Sequence, residues 1–476
     1  MADFDELSAD LDMAQLAEKR RRHIRLMSCL GICAGGLYGY ALTSLSGALV
    51  SMNIGSGHLG HLNASEQGMV TSSLLLCAAL GSYLAGMFND RFGPHHLILT
   101  GALLSIPGAA LSALAPNLLL LILGRGIIGM GIGMTSTIVP IYLADMIGVG
   151  ERGRLVSINS VMIVVWQLLA VSVNAVLNQL GAGWRSMLWT VMVPAVLLSL
   201  IALAIHDSPA HLVRHGLHTE AVRLLHTTHG GTEARDTYDS LVKENRQHQN
   251  SEGKPAKATF STPWLRRILV IGIGLGMINQ LTGLNIVNYY APTIFVSTLG
   301  FDPSLSILTT VPVILVSALA SVIGGLGLID RFNRRTILAV GLGGTIVFLI
   351  GIGVSYLFIE SPNGSKTAAW IMIAMMMVYV IFVQGLVSPV TWLLLAEIFP
   401  ASIKSRGMGY SNVAMNLSNF ALSLFFPILL NGLGGSGTYL LFAAINIGSL
   451  VFALAMVPET RGKSQMQIEQ EARERG

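Results

Sequence analysis

Stretches of about 20 apolar residues recur along this chain, each long enough to cross roughly 30 Å of hydrocarbon as a helix. Twelve such spans are read from the sequence. The first six lie near 25–50, 67–88, 96–115, 117–143, 154–178 and 185–205, and the second six near 267–290, 304–328, 335–358, 369–396, 407–430 and 437–457. Hydrocarbon offers backbone groups no water to bond, so such spans must be helical. Charged residues make up 11% of the chain and hydrophobic ones 52%, whereas a soluble domain carries about a quarter charged. A large soluble enzyme, with polar faces on its helices, is excluded. The expected fold class is all-α: a polytopic membrane protein with twelve transmembrane helices in two pseudo-symmetric six-helix bundles.

The Lys and Arg residues set the orientation. Of 29, 26 fall in or beside segments on the side that holds both termini, which makes that side cytoplasmic. The net charge of +4 is thus a topology signal, and the partners it implies are a lipid bilayer and no nucleic acid. The expected organisation is a cytoplasmic tail over 1–24, a bundle over 25–205, a cytoplasmic loop over 206–266, a second bundle over 267–457 and a cytoplasmic tail over 458–476. Within the loop, Pro209 to Leu225 alternates apolar and basic residues at helical spacing and predicts short amphipathic helices lying at the membrane face. Six histidines between 206 and 229 lack a cysteine or clustered carboxylates nearby and read as a solvated helical face, not a metal site. Cys29, Cys33 and Cys77 lie in apolar stretches and read as packing residues. Short outer loops point to a bacterial cytoplasmic membrane.

The two halves share a pattern. Asp90-Arg91-Phe92-Gly93 follows span 2, and Asp330-Arg331-Phe332-Asn333-Arg334-Arg335 follows span 8. Asp145 precedes Arg152 by the same interval that separates Glu397 from Lys404. Carboxylate and cation at the cytoplasmic ends of neighbouring helices can pair, closing that face in one state and releasing it in the other.

Span 7 carries Asn279, Gln280, Asn285 and Asn288 within ten residues, beside Gly283. Each buried amide is costly without a partner in hydrocarbon, so the cluster is expected to face an interior cavity. Amides offer donors and acceptors without charge, which suits a neutral polyhydroxylated ligand.

Over nearly its full length the chain resembles the sugar porter family of the major facilitator superfamily. The matching pieces are Gly86-x-x-x-Asp90-Arg91-Phe92-Gly93, Gly124-Arg125-Gly126, Pro140-x-Tyr142-x-x-Asp145, Arg152-Gly153-Arg154 and Gly183-Trp184-Arg185. They continue with Gln280-x-x-Gly283-x-Asn285-x-x-x-Tyr289-Tyr290-x-Pro292, Asp330-Arg331-Phe332-x-Arg334-Arg335, Pro389-x-x-Trp392-x-x-x-x-Glu397 and Pro458-Glu459-Thr460-Arg461-Gly462.

The resemblance implies transport of a monosaccharide, hexose or pentose, by alternating access. Gln280, Asn285 and Asn279 would bind sugar hydroxyls, Trp392 would stack beside the ring, and Asn419 would add an amide from span 11. Ser160, where span 5 typically carries a glutamine, and Gln167 complete the expected contacts. Tyr289 and Tyr290 match an outer aromatic gate. The chain departs from the family at Met415, at Pro94-His95, where two basic residues are usual, and at Asp207-Ser208-Pro209-Ala210-His211.

Proton-coupled members pair an Asp of span 1 with the Arg of span 4. Here the stretch reads Gly39-Tyr40-Ala41-Leu42, leaving Arg125 to carbonyls of span 1 or to Tyr40. None of the 25 acidic residues falls inside a span, so a passive facilitator is favoured over a sugar–proton symporter. A sugar-sensing receptor would carry a longer tail. No catalytic residue, metal or cofactor is expected, and the chain is expected to work as a monomer.

Overall fold

The computed structural model describes residues 13–54, 62–146, 149–228, 231–249, 262–299, 302–329, 331–359, 366–400, 403–461 and 465–474. These are almost all helical, with no strand among the described residues. Spans 1 to 6 are Met13–Ile54, Ala64–Phe92, Pro94–Leu114, Leu118–Asp145, Val149–Gln179, and Trp184–Trp189 followed by Met192–Ala204. Span 7 is Pro263–Leu281 and Leu284–Leu299, span 8 Pro303–Ile323, span 9 Arg334–Ile359, and span 10 Lys366–Phe382 continued by Ser388–Ile398. Spans 11 and 12 form one helical segment, Lys404–Met456, broken at Gly434 with φ 69°. An even number of spans puts both chain ends on one face, here the terminal face.

Local chemistry sets the helix ends. Asn63 accepts from the Glu66 N–H at 2.9 Å, and the Glu66 carboxylate accepts from the Asn63 N–H at 2.8 Å, a capping box that starts span 2. Gly93, at φ 79°, ends that span, and Pro94 opens the next, where its missing N–H is harmless. Gly129 and Gly133 of span 4 stand one turn apart, and a Cβ on either would overlap the carbonyl of Leu74 or Ala78 on span 2. The two backbones therefore pack directly, as small residues allow in lipid. Large apolar side chains such as Leu203 and Val451 stay exposed on the perimeter, where acyl chains would cover them.

The halves meet along two seams. Spans 2 and 11 touch near both ends, with Gly68 against the Leu424 carbonyl and Gly409 beside Gly86. Between these points Asn412 donates to the Thr137 hydroxyl at 3.2 Å and Asn416 to the Ser82 hydroxyl at 3.4 Å. Spans 5 and 8 also meet twice, through Ala175 with Ile307 and through Val161 beside Gly325. These two seams close the sides of the space between the halves.

The polar segment after span 6 folds into short helices. It forms helices Pro209–Arg214, His218–Thr228 and Gly231–Gln249. Leu212, Val213, Val222, Leu225 and Tyr238 are buried against one another in a small core of their own. At the other end, helix Gln465–Glu474 returns to span 7, where Arg473 lies 4.9 Å over the Trp264 ring.

Candidate functional site

Gly283, at φ 85°, breaks span 7 after Leu281. A broken helix frees carbonyls that hydrocarbon cannot satisfy, and neighbouring side chains take them. Tyr379 donates to the Thr282 carbonyl at 2.7 Å, and Asn446 to the Leu281 carbonyl at 2.9 Å. Both residues are buried, so the break is held from spans 10 and 12.

Around the break the amides form a chain. Asn285 Nδ2 donates to Gln280 Oε1 at 2.5 Å, Gln280 Nε2 to Asn279 Oδ1 at 3.1 Å, and Asn279 Nδ2 to Thr391 Oγ1 at 2.7 Å. These three amides line a cleft between the halves, of about 490 Å³ including its part open to solvent. Span 5 contributes Ser160 and Gln167, span 10 contributes Gln384, Ser388 and Trp392, and span 1 contributes Tyr38. No charged residue lines it among the described residues. Gln167 Oε1 and Gln384 Oε1 are shut off from water and have no hydrogen-bond partner. Buried acceptors of this kind call for donors, and a solute rich in hydroxyls supplies them.

Two expected residues lie elsewhere. Asn288 is buried but does not line the cleft. Asn419 holds the Tyr289 hydroxyl at 3.2 Å instead of facing the cleft, while Tyr290 donates to the Ser423 carbonyl at 3.0 Å and packs on Phe426. Arg125 is buried beside these two tyrosines and donates through Nε to the Val70 carbonyl at 3.0 Å. Its carbonyl partner is thus on span 2, and Tyr40 turns its ring edge-on to Trp166 instead.

Gln384, Ser388 and Tyr38 were missed by the sequence reading. Gln384 sits in a wide helical turn, Val383–Val387, that interrupts span 10 and aims the amide inward. An amide inside an apolar span was the available signal, the same one that marked span 7.

On the terminal face, Glu397 accepts from the Thr460 hydroxyl at 2.6 Å and lies 3.9 Å from the Arg334 guanidinium. Glu459 accepts from the backbone N–H groups of Arg334 and Arg335, at 3.0 and 3.1 Å, and so caps span 9. Burial raises its carboxyl pKa, but the N–H donors of Arg461, Arg335, Arg334 and Thr460 outweigh this and hold it below the usual range. Lys404 is buried and Asp145 half-buried, while Arg91 and Arg331 are exposed. The side chains of Asp90 and Arg152, and the whole of Asp330, lie outside the described residues.

Two six-helix halves enclosing an uncharged cleft define a transporter of the major facilitator superfamily. A family profile described as "Sugar (and other) transporter" matches residues 27–472. The chain is 36% identical to the major myo-inositol transporter IolT of Bacillus subtilis, over 95% of this chain and 94% of that one. It is 32% identical to the glucose transporter GlcP of Staphylococcus epidermidis, over 94% and 97%. Its fold matches the proton:xylose symporter XylE of E. coli bound to 6-bromo-6-deoxy-D-glucose, with a TM-score of 0.81, 25% identity and 95% and 99% of the two chains covered. The chain belongs to the sugar porter family. It is an integral, multi-pass membrane transporter and not an enzyme.

Proposed function

We propose that the chain carries a monosaccharide, a hexose or a pentose, by alternating access, as a passive facilitator in a bacterial cytoplasmic membrane. The observation that carries this reading is the cleft: amides and hydroxyls from both halves, two unpartnered amide oxygens, an indole at its wall and no charge. An anion would call for Lys or Arg there, and a cation for carboxylates. The relatives' names agree in kind, since inositol, glucose and xylose are all neutral and polyhydroxylated.

Passive movement is favoured because intramembrane proton relays use Asp, Glu or His. None lines the cleft among the described residues, and Arg125 donates to a span 2 backbone carbonyl, with Gly39-Tyr40-Ala41-Leu42 of span 1 offering no carboxylate. The terminal face is cytoplasmic in this reading, from the Lys and Arg bias, and the carrier works as a monomer. Bundles 25–205 and 267–457 rock about the cleft, with 1–24, 206–266 and 458–476 on the cytoplasmic side. Gln280, Asn285, Asn279, Gln167, Ser160 and Trp392 contact the solute, and Asn419 is proposed to join them when the carrier changes state. Tyr289 and Tyr290 gate the outer passage, while Glu397 and its partners lock the inner one, with Asp90, Arg91, Asp145, Arg152, Asp330, Arg331 and Lys404 as companions.

The test is counterflow of labelled hexoses and pentoses in proteoliposomes, followed by uptake with an imposed proton gradient. Uptake should stop at equilibrium and ignore a protonophore. Concentrative uptake that collapses with the gradient would overturn passive movement, and absence of counterflow with every sugar would overturn the whole reading.

A further inference from the structure

The histidines set aside on sequence grounds are not isolated in space. His95 and His96 open span 3, and Asp207 follows the end of span 6. One ligand atom from each lies within 4.8 Å of the other two. The turn that brings them together is Gly93-Pro94, and the empty side of Gly93 faces two more polar atoms. A Cβ there would sit 2.8 Å from Asp207 Oδ1 and 2.9 Å from His211 Nε2. The carboxylate oxygen and the His211 ring nitrogen thus flank one small space that only a glycine leaves open.

Two observations suit this cluster to a metal ion. Asp207 Oδ1 is shut off from water and has no hydrogen-bond partner, an unfavourable state for a carboxylate oxygen unless a cation meets it. His95 Nε2 lies 3.0 Å from the Ala202 carbonyl. A ring that donates there keeps its lone pair on Nδ1 and is held in one orientation, as outer partners of metal-binding histidines do.

We propose that His95, His96 and Asp207, with His211 as the fourth ligand, bind a divalent transition ion of the zinc type. Imidazole and carboxylate ligands suit such an ion, whereas calcium and magnesium take oxygen ligands. Ligand atoms of a tetrahedral zinc site stand about 3.4 Å apart, from bond lengths near 2.1 Å, so side-chain rotation of up to about 1.4 Å closes the set of three, with His211 approaching from the space beside Gly93. All four ligands lie on the turn between spans 2 and 3 or just beyond span 6. The ion braces that corner of the first bundle, and rocking of one half against the other leaves it intact.

Calorimetric titration of the purified full chain, without a polyhistidine tag, tests this with zinc chloride and with magnesium as the contrast. One zinc should bind per chain in the micromolar range, raise the melting midpoint by several degrees, and have no counterpart with magnesium. His96→Gln, on an exposed side chain, and Asp207→Asn should each weaken binding at least tenfold, while His218→Gln should not. Sugar counterflow by His96→Gln shows that this variant is folded. No binding below 100 μM zinc, or binding unchanged in either ligand variant, overturns the proposal.

Discussion

Gln280 stands in the middle of the amide chain, so Gln280→Ala examines the cleft more directly than any other single change. The side chain is 4% exposed and makes two of the chain's hydrogen bonds, to Asn279 and from Asn285. Its loss removes a contact to the solute, about 1 kcal/mol for a neutral hydrogen bond. It also frees Asn285 and Asn279 from their fixed geometry, adding roughly 0.5–2 kcal/mol because water in the cleft replaces part of what is lost. The sum, about 1.5–3 kcal/mol, corresponds to about a 10- to 150-fold weaker affinity at 1.4 kcal/mol per tenfold. Half-saturation from counterflow, and quenching of Trp392 fluorescence by the solute in a variant lacking the other tryptophans, should both report it. Asn288→Ala is the internal comparison, since that amide is buried outside the cleft, and its half-saturation should stay within about threefold. A Gln280→Ala carrier that is folded and binds its sugar within twofold of the parent would refute the argument that these amides face the solute.

Glu459→Gln removes the charge that caps span 9 and should lower stability by about 1 kcal/mol at neutral pH. The folded carboxyl titrates below its unfolded counterpart, so its contribution is complete above the ordinary carboxylate range and is lost as pH falls through the folded value. Melting midpoints of parent and variant should differ most near neutral pH and converge only as pH falls below the ordinary carboxylate range; a constant gap would argue against the cap. Gly68→Val puts a side chain where a Cβ alone would lie 2.8 Å from the Leu424 carbonyl. This should hold spans 2 and 11 apart on the face opposite the termini, cutting transport at least tenfold while sugar binding from that face persists. Equal loss of binding and transport would point to misfolding instead.

Span number and fold class were legible because hydrocarbon imposes a length and a composition that soluble contexts do not. The amides of span 7 were legible for the same reason: Asn279, Gln280 and Asn285 are too polar to face lipid, and the structure puts all three in the cleft. Periodicity did not show the break at Gly283, which depends on Tyr379 and Asn446 arriving from distant spans. Gln384 escaped notice because a lone amide in span 10 faces inward only through its wide turn. Asn419 could be placed on its span, but not in its bond to Tyr289, since that contact crosses from span 11 to span 7. The histidines show the same limit. His211 looked partnerless among its sequence neighbours, while His95 and His96 waited more than a hundred residues upstream.

The wide turn in span 10 touches its counterpart in span 8, where Gly324 sits against the Gly385 carbonyl. Each is a loosened joint in an otherwise stiff rod. Thirteen residues separate Gln384 from Glu397 along span 10, a reach of about 20 Å at helical rise. On the proposed reading, span 10 would link Gln384 at the cleft to Glu397 at the Arg334 contact, bending where the two glycines meet.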